Sequence, residues 1–447
     1  MWERLREWVL RWTDQKDERP EWPREGFSAA YEDVTRENIT AVIAGKLAAL
    51  TIGDSSFALT APGGERGALI AEALERLWKE DARRVTARAF GKGAAVLVPA
   101  VTETGRVEIT EADQDRVLIL RRDAGRPVSA ALCLADGRAG NELCHLIAHY
   151  ELKGDAHRIR YMAVTDGGAP VPLARVPGWE RLPEEITVGR VDRLLLGFLK
   201  CPADPRRNGA ELGVPITYGA EPLLEELREH LRIYRREYKL TRPMLGLDST
   251  LWQTEDRSIG QVRRTVQDGD DPFIPFDAPA LDGRGVWQYY APAIRWEAME
   301  ARLKSLCLRI EKACGLSQGI LTERQSVNYL NRDEVRAAMY DTYSVLRAMR
   351  YGWERAMEDL ALAADALAER FALTPRGSRA APVCAFDWDT SLIESTAEAF
   401  DQELKLHAAG AMSAPELRQW VLGGTLKEAE AAVDRIQAER ERKERRS

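Results

Sequence analysis

The sequence predicts an α+β fold, with an N-terminal α/β body on an antiparallel sheet and a second half that is mostly helical. Three observations carry that reading. Between Val85 and about Leu195, short apolar and β-branched runs (AAVLVPAV, GRVEIT, RVLILRR, SAALCLA, CHLIAHYEL, HRIRYMAV) alternate with turn signals. Two later segments, Pro222 to Arg242 and about Pro292 to Ala313, carry matched apolar stripes at helical spacing. From about Arg332 to Phe371 runs the longest helical pattern of the chain.

Residues 1–27 open on MWERLREWVLRWTDQKDE, where Trp2, Leu5, Trp8, Val9 and Trp12 form an amphipathic arm. Its apolar residues are interrupted by charge, so it is no signal peptide. Acidic and basic residues mix on its polar face, which favours docking on protein over a membrane. No run of about 18 apolar residues occurs, so no membrane span is expected. A body follows over 28–220. RENITAVIAGKLAALTIG reads as a helix ending on Gly53, and Ala68 to Asp81 as a second, with Leu69, Ile70, Leu74, Leu77 and Trp78 on one side. The turns between the strands are expected at Thr104-Gly105, Asp123-Ala124-Gly125, Asp136-Gly137 and Lys153-Gly154-Asp155. The loop CPADPRRNGAELGVPITYG closes the body.

A helix over 221–245 has its seam at Leu224, Leu227, Leu231, Tyr234 and Tyr238, and Pro243 stops it. Residues 246–290 are a turn-rich lobe. A second helix, 291–314, repeats the seam with Trp296, Met299, Leu303, Leu306 and Ile310. Each is about 30 Å long at 1.5 Å per residue, and the narrow stripes suggest two legs packed together with the lobe at their far end. Residues 315–331 form a polar loop with no evident core to hold it, expected to be among the least stable parts of the chain. The long helix, 332–374, has Val335, Met339, Leu346, Met349, Trp353, Met357, Leu360 and Leu367 broadly on one face. Over 375–447, a linker with Pro375, Gly377 and Pro382 leads to a helical module. Ser395-x-x-Glu398, Ser413-x-x-Glu416 and Thr425-x-x-Glu428 are capping boxes there, with Gly410 and Gly423-Gly424 at C-cap positions.

The net charge of −7 and pI near 5.6 argue against tight binding of nucleic acid, which needs phosphate neutralisation. Six scattered cysteines without a CxxC pair read as reduced thiols. His145 and His149, beside Cys144, would suit zinc on a helix, but they fall on a strand, over ~13 Å apart, and read as polar positions on a half-exposed strand. Gly63-Gly64-Glu65-Arg66-Gly67 lacks the GK[ST] ending of a phosphate loop, and Gly91-Lys92-Gly93 precedes a strand rather than a helix. Asp387-x-Asp389 has no further carboxylate at metal-site spacing, and Asp389 reads as a helix cap. There is no GxSxG and no evident nucleophile–base pair among five scattered histidines. No catalytic residue, cofactor or metal is expected, and the chain does not read as an enzyme.

The order of these parts, with the stretches GVPITYGAEPLLEELREHLRIYRREYKLTRPML, FGKGAAVLVPAVTETGRVEIT and FDWDTSLIESTAEAFDQELKLHAAGAMSAPELRQWVLGGTLKEAEAAVDRIQAE, resembles the portal proteins of tailed bacteriophages, of the siphophage head-tail connector type. The resemblance runs from about residue 28 to residue 439. It implies a wing (28–220 with the long helix), a two-helix stem, a clip in the lobe, a tunnel loop at 315–331 and a C-terminal crown. It implies a cyclic homo-oligomer, typically a dodecamer, at one capsid vertex of the virion, assembled in the host bacterial cytoplasm. Double-stranded DNA would pass through it non-specifically during packaging and ejection. The implied partners are the terminase large subunit, major capsid and scaffolding proteins and a head-tail adaptor. Gln318, Thr322, Gln325, Ser326 and Asn328 would then make weak neutral contacts with DNA, and Arg324 the one charged contact. Arg257, Arg263 and Arg264 would form the clip docking surface. An acidic conduit suits sliding, since each neutralised phosphate adds friction. The rival readings are another virion structural protein, a scaffold or adaptor, and a DNA-processing enzyme. The last would need clustered carboxylates or a nucleotide loop.

Overall fold

A long helix, Arg332–Arg370, packs against both the first helices of the chain and a three-stranded sheet. The computed structural model describes residues 27–35, 37–60, 64–102, 104–204, 212–240, 244–248, 255–256, 261–262, 273–276, 287–290, 293, 295–322, 332–374, 383–389, 404–422, 427 and 429–436. The N-terminal arm therefore lies outside the described residues, apart from Phe27. Among the described residues, no helix is long and apolar enough to cross a membrane.

The chain begins with α1 (Phe27–Glu32) and α2 (Ile39–Ile52). The Asn38 side chain caps α2 by accepting the Ala41 N–H at 3.0 Å. Strand β1 (Ser56–Thr60) leads to α3 (Glu65–Arg76), which passes through a π turn (Leu77–Asp81) into α4 (Ala82–Lys92). Helix thus continues beyond the expected end at Asp81 to Lys92, past Val85 where the sequence suggested a switch to strand. Ala82, Val85, Thr86, Ala89 and Phe90 are buried at helical spacing, a pattern that the β-rich stretch just beyond obscures. Lys92, at the end of α4 and ahead of a strand as expected, is fully buried. Its ammonium meets Glu32 at 2.6 Å and Asp113 at 2.7 Å, which ties α1 to the sheet.

Two sheets follow rather than one. The first is a three-stranded layer in the order β10-β2-β3, with β2 at Ala94–Val101, β3 at Val107–Asp113 and β10 at Gly197–Lys200. The second is antiparallel throughout in the order β4-β5-β6-β7-β8 (Val117–Asp123, Arg126–Ala139, Glu142–Lys153, Ala156–Thr165, Pro170–Val171). Strand β9 (Glu185–Gly189) also pairs with β7. Asp136-Gly137, read from sequence as a turn, lies inside β5. The chain reverses instead after Ala139, which pairs with Glu142, with Gly140 at φ +66°. Strand β5 carries a bulge between Cys133 and Ala135.

Helix α5 (Glu221–Leu240) leaves the body and α6 (Trp296–Ala313) returns antiparallel to it. Between them lies a small β lobe. Strand β11 (Met244–Asp248) pairs with β14 (Phe273–Phe276) in parallel and with β15 (Trp287–Tyr290) antiparallel. A short ladder joins β12 (Glu255–Asp256) to β13 (Gln261–Val262). Helix α7 (Arg332–Arg370), 39 residues and about 58 Å long, carries Leu346, Met349, Trp353, Met357, Leu360 and Leu367 into the core. Trp353 is fully buried, stands edge-on to Trp78 at 5.5 Å and donates its indole N–H to Thr86 Oγ1 at 2.8 Å. Gly197 is required where β10 crosses α7, because a Cβ there would lie 2.9 Å from Leu360 Cγ.

Strand β16 (Val383–Asp387) pairs antiparallel with β1. Residues 383–387 therefore belong to the body rather than to a separate C-terminal module. Phe386 and Trp388 stack at 5.1 Å beside Phe57 and Trp78. Helix α8 (Ala414–Leu422) is capped as its sequence predicts. Ser413 donates from N and Oγ to Glu416 at 2.8 Å each, and Glu416 N–H returns to Ser413 Oγ at 3.4 Å. Such a box contributes about 1 kcal/mol. Gly410 adopts φ +73°, as a C-cap glycine should. The boxes at Ser395 and Thr425, the Gly423-Gly424 cap, and any helix that Asp389 would cap lie outside the described residues.

Candidate functional site

The two legs pack as a pair whose apolar seam thins with distance from the body. Leu224, Leu227, Leu306 and Ile310 are buried in the main core. Further out, His230 Nε2 donates to the Met299 carbonyl at 2.9 Å, and Arg295 clamps Glu237 through two bonds of 2.9 and 3.0 Å. Arg302 and Arg309 reach Glu226 at 2.8 and 3.7 Å. These exposed pairs add little stability individually. Ile233, Tyr234, Tyr238 and Trp296 all point to solvent on the single chain. The seam read from sequence is thus internal at its base and outward at its tip.

Segment 315–322 follows α6 and is not the coreless loop its composition suggests. Gly315, at φ +68°, sits in a Schellman turn in which its own N–H bonds Lys312 O and the Leu316 N–H bonds Glu311 O, at 3.1 and 2.9 Å. Leu316 and Ile320 are buried in the cluster that holds Leu47 and Leu346. Ser317 and Thr342 of α7 exchange bonds, each hydroxyl accepting the other residue's N–H at 3.3 and 2.8 Å. The Glu311 carboxylate, itself buried, accepts the N–H groups of Gly319, Leu321 and Thr322 at 3.2, 2.6 and 3.2 Å. Lys46 donates to the Ile320 carbonyl. One buried acid thus replaces the missing helix ladder, which counting polar residues could not reveal.

Of the residues read from sequence as DNA contacts, Gln318 is exposed on this segment, and Thr322 is half-buried with its hydroxyl 3.3 Å from Glu311 Oε2. Arg324, Gln325, Ser326 and Asn328 lie outside the described residues. So do Arg257, Arg263 and Arg264 of the lobe.

A polar cluster that sequence reasoning set aside lies on the β5–β7 face. His145 and His149 are on β6, as expected, but both are buried rather than half-exposed. Neighbouring strands supply their partners. His149 accepts at Nδ1 from Arg160 at 2.8 Å, which leaves its proton on Nε2, 2.9 Å from Ser129 Oγ. Burial, reinforced by Arg160 and Lys153, pushes His149 down to about 3. His157 on β7 is pushed down to about 4 by burial. His145 stands between two carboxylates, with Nδ1 2.7 Å from Asp136 and Nε2 2.8 Å from Asp166. Burial raises the Asp136 carboxyl, but the His145 bond and Arg116, 3.0 Å away, outweigh it and hold it below the usual range. Burial, with Asp136 adding to it, pushes the Cys133 thiol up to about 12. Cys133, Asp136 and His145 come together from β5 and β6, a grouping the sequence did not reveal because the bulge that brings Cys133 and Asp136 to one side leaves no sequence signature.

No family model matches the sequence, and no curated protein matches it. Among solved structures the chain is similar to one titled "Neck of empty GTA particle computed with C6 symmetry". The two share 12% identity at a TM-score of 0.46, over 92% of this chain and 96% of that one, a loose likeness along nearly the whole length.

Proposed function

We propose that the chain is a portal protein of the tailed-bacteriophage type, a ring subunit that conducts DNA at one capsid vertex and is neither an enzyme nor a scaffold. The observation that carries this reading is the order and pairing of parts. An antiparallel helix pair leaves an α/β body, bears a small β lobe at its tip, returns, and continues into a long helix through that body. The outward apolar tip of the legs supports lateral contact with further copies, and an acidic chain suits a conduit. In this reading 323–331 faces the DNA with Arg324, Gln325, Ser326 and Asn328, Gln318 borders it, and 315–322 is its fixed base.

Electron microscopy of the purified protein should show closed rings, dodecamers in the particle, since a head-to-tail interface either closes or runs on as a filament. A stable monomer at micromolar concentration without rings overturns the proposal. A ring reconstruction placing 324–328 on the outer wall overturns the assignment of the loop alone. Arg257, Arg263 and Arg264 are proposed to dock the terminase and later a head-tail adaptor. Arg263→Glu with Arg264→Glu should leave rings intact and stop packaging in a reconstituted motor, and unchanged packaging removes the docking role.

A further inference from the structure

We propose that Cys133, Asp136 and His145 form a binding site for one zinc-class divalent ion per chain, independent of any role in DNA passage. Cys133 Sγ lies 3.9 Å and His145 Nδ1 2.7 Å from the same oxygen, Asp136 Oδ1, and the three donor atoms all fall within 4.8 Å of one another. A thiolate, an imidazole and a carboxylate are the donor set of a tetrahedral site that keeps its fourth position for water. Metal–ligand lengths of about 2.0–2.3 Å set neighbouring donors about 3.3–3.5 Å apart. The nitrogen–oxygen pair therefore opens by roughly half an ångström on binding, and the sulfur–oxygen pair closes by about as much.

Two features of the surroundings favour a metal over a plain hydrogen-bond network. The first is the bulge in β5. Residues three apart on a strand face opposite sides, yet Cys133 pairs with Ile147 and Asp136 with His145, and those partners share a face. The one extra residue brings thiol and carboxylate to the same side, which is how bulges re-aim side chains at sites. The second is the shell around the donors. His145 Nε2 is 2.8 Å from Asp166, and Arg116 binds the other oxygen of Asp136 at 3.0 Å. A carboxylate behind a ligating histidine fixes its tautomer and presents the opposite nitrogen to the metal. A histidine bridging two acids accounts for Asp136, His145 and Asp166, but not for a buried thiol aimed at the shared oxygen. Cys133 and His145 are buried while Asp136 and Asp166 are half-exposed or more, so an ion can enter from the acid side.

Full-length protein stripped with a chelator and titrated with cobalt should develop a thiolate-to-cobalt absorption band that saturates at one ion per chain. Zinc should displace the cobalt, and magnesium should not. Cys133→Ser should abolish the band, Cys307→Ser should keep it, and Asp166→Asn should weaken binding by about 10–100-fold. If Cys133→Ser does not fold, Asp136→Asn, at a half-exposed position, takes its place and should also lose the band. No band in the wild-type protein, or a band that persists in Cys133→Ser or Asp136→Asn, overturns the site.

Discussion

Replacing Glu311 by alanine should unlock segment 315–322 and lower the unfolding free energy by about 2–4 kcal/mol. The carboxylate accepts N–H bonds from Gly319, Leu321 and Thr322, and it is buried where water does not easily take its place. Each orphaned buried donor costs about 1–3 kcal/mol, and the sum is reduced because the freed segment relaxes toward solvent. Glu311→Gln keeps a carbonyl acceptor and should lose roughly half as much. Hydrogen exchange resolves the mechanism. The amides of Gly319, Leu321 and Thr322 should exchange faster by a factor of ten or more (~1.4 kcal/mol per tenfold), while those of α7 near Trp353 stay protected. Unchanged exchange at those amides would show that Leu316 and Ile320 anchor the segment without the acid.

Acid should destabilise the protein well above the range where carboxylates titrate. His149 and His157 are held down to about 3 and about 4 in the folded chain, while an exposed histidine titrates near 6.5. Between those limits the unfolded chain binds protons that the folded chain refuses, so stability is complete above about pH 6.5 and falls as pH falls. Each histidine contributes up to about 1.4 kcal/mol per pH unit, or about 4 kcal/mol for both between pH 7 and pH 5. The depressed Asp136 carboxyl adds a further loss in the same direction at lower pH. Denaturant unfolding at pH 7, 6 and 5 measures the slope, and His157→Phe should remove part of it. A wild-type unfolding energy that is flat from pH 7 to pH 5 would refute the account.

Periodic features were legible in the sequence, and features made by contact between distant segments were not. Leu224, Leu227, Leu306 and Ile310 read as leg seams because helical spacing is local, and they are buried as that spacing requires. Ser413 and Glu416 read as a cap because both partners lie within one turn. By contrast, Glu311 looks like any surface acid of a helix. Only the turn at Gly315 folds the next residues back over it. His149 looked half-exposed because alternation on β6 gives no hint that β5 and β7 bring Ser129 and Arg160 to its ring. Val383 to Asp387 read as part of a C-terminal module because its pairing partner, β1, is more than 300 residues away.

That last pairing has a bearing on how the chain is made. Phe57 on β1 and Trp78 after α3 lie against Phe386 and Trp388 at the far end of the sequence. At translation speeds of about 5–20 residues per second, roughly 17–66 s separate the emergence of Phe57 from that of Asp387. Until Trp353 of the long helix and then Phe386 and Trp388 emerge, the aromatic surface around Phe57 and Trp78 lacks its native cover. The nascent body is exposed to wrong partners until then, and its native packing is completed only after the legs and the long helix have been made.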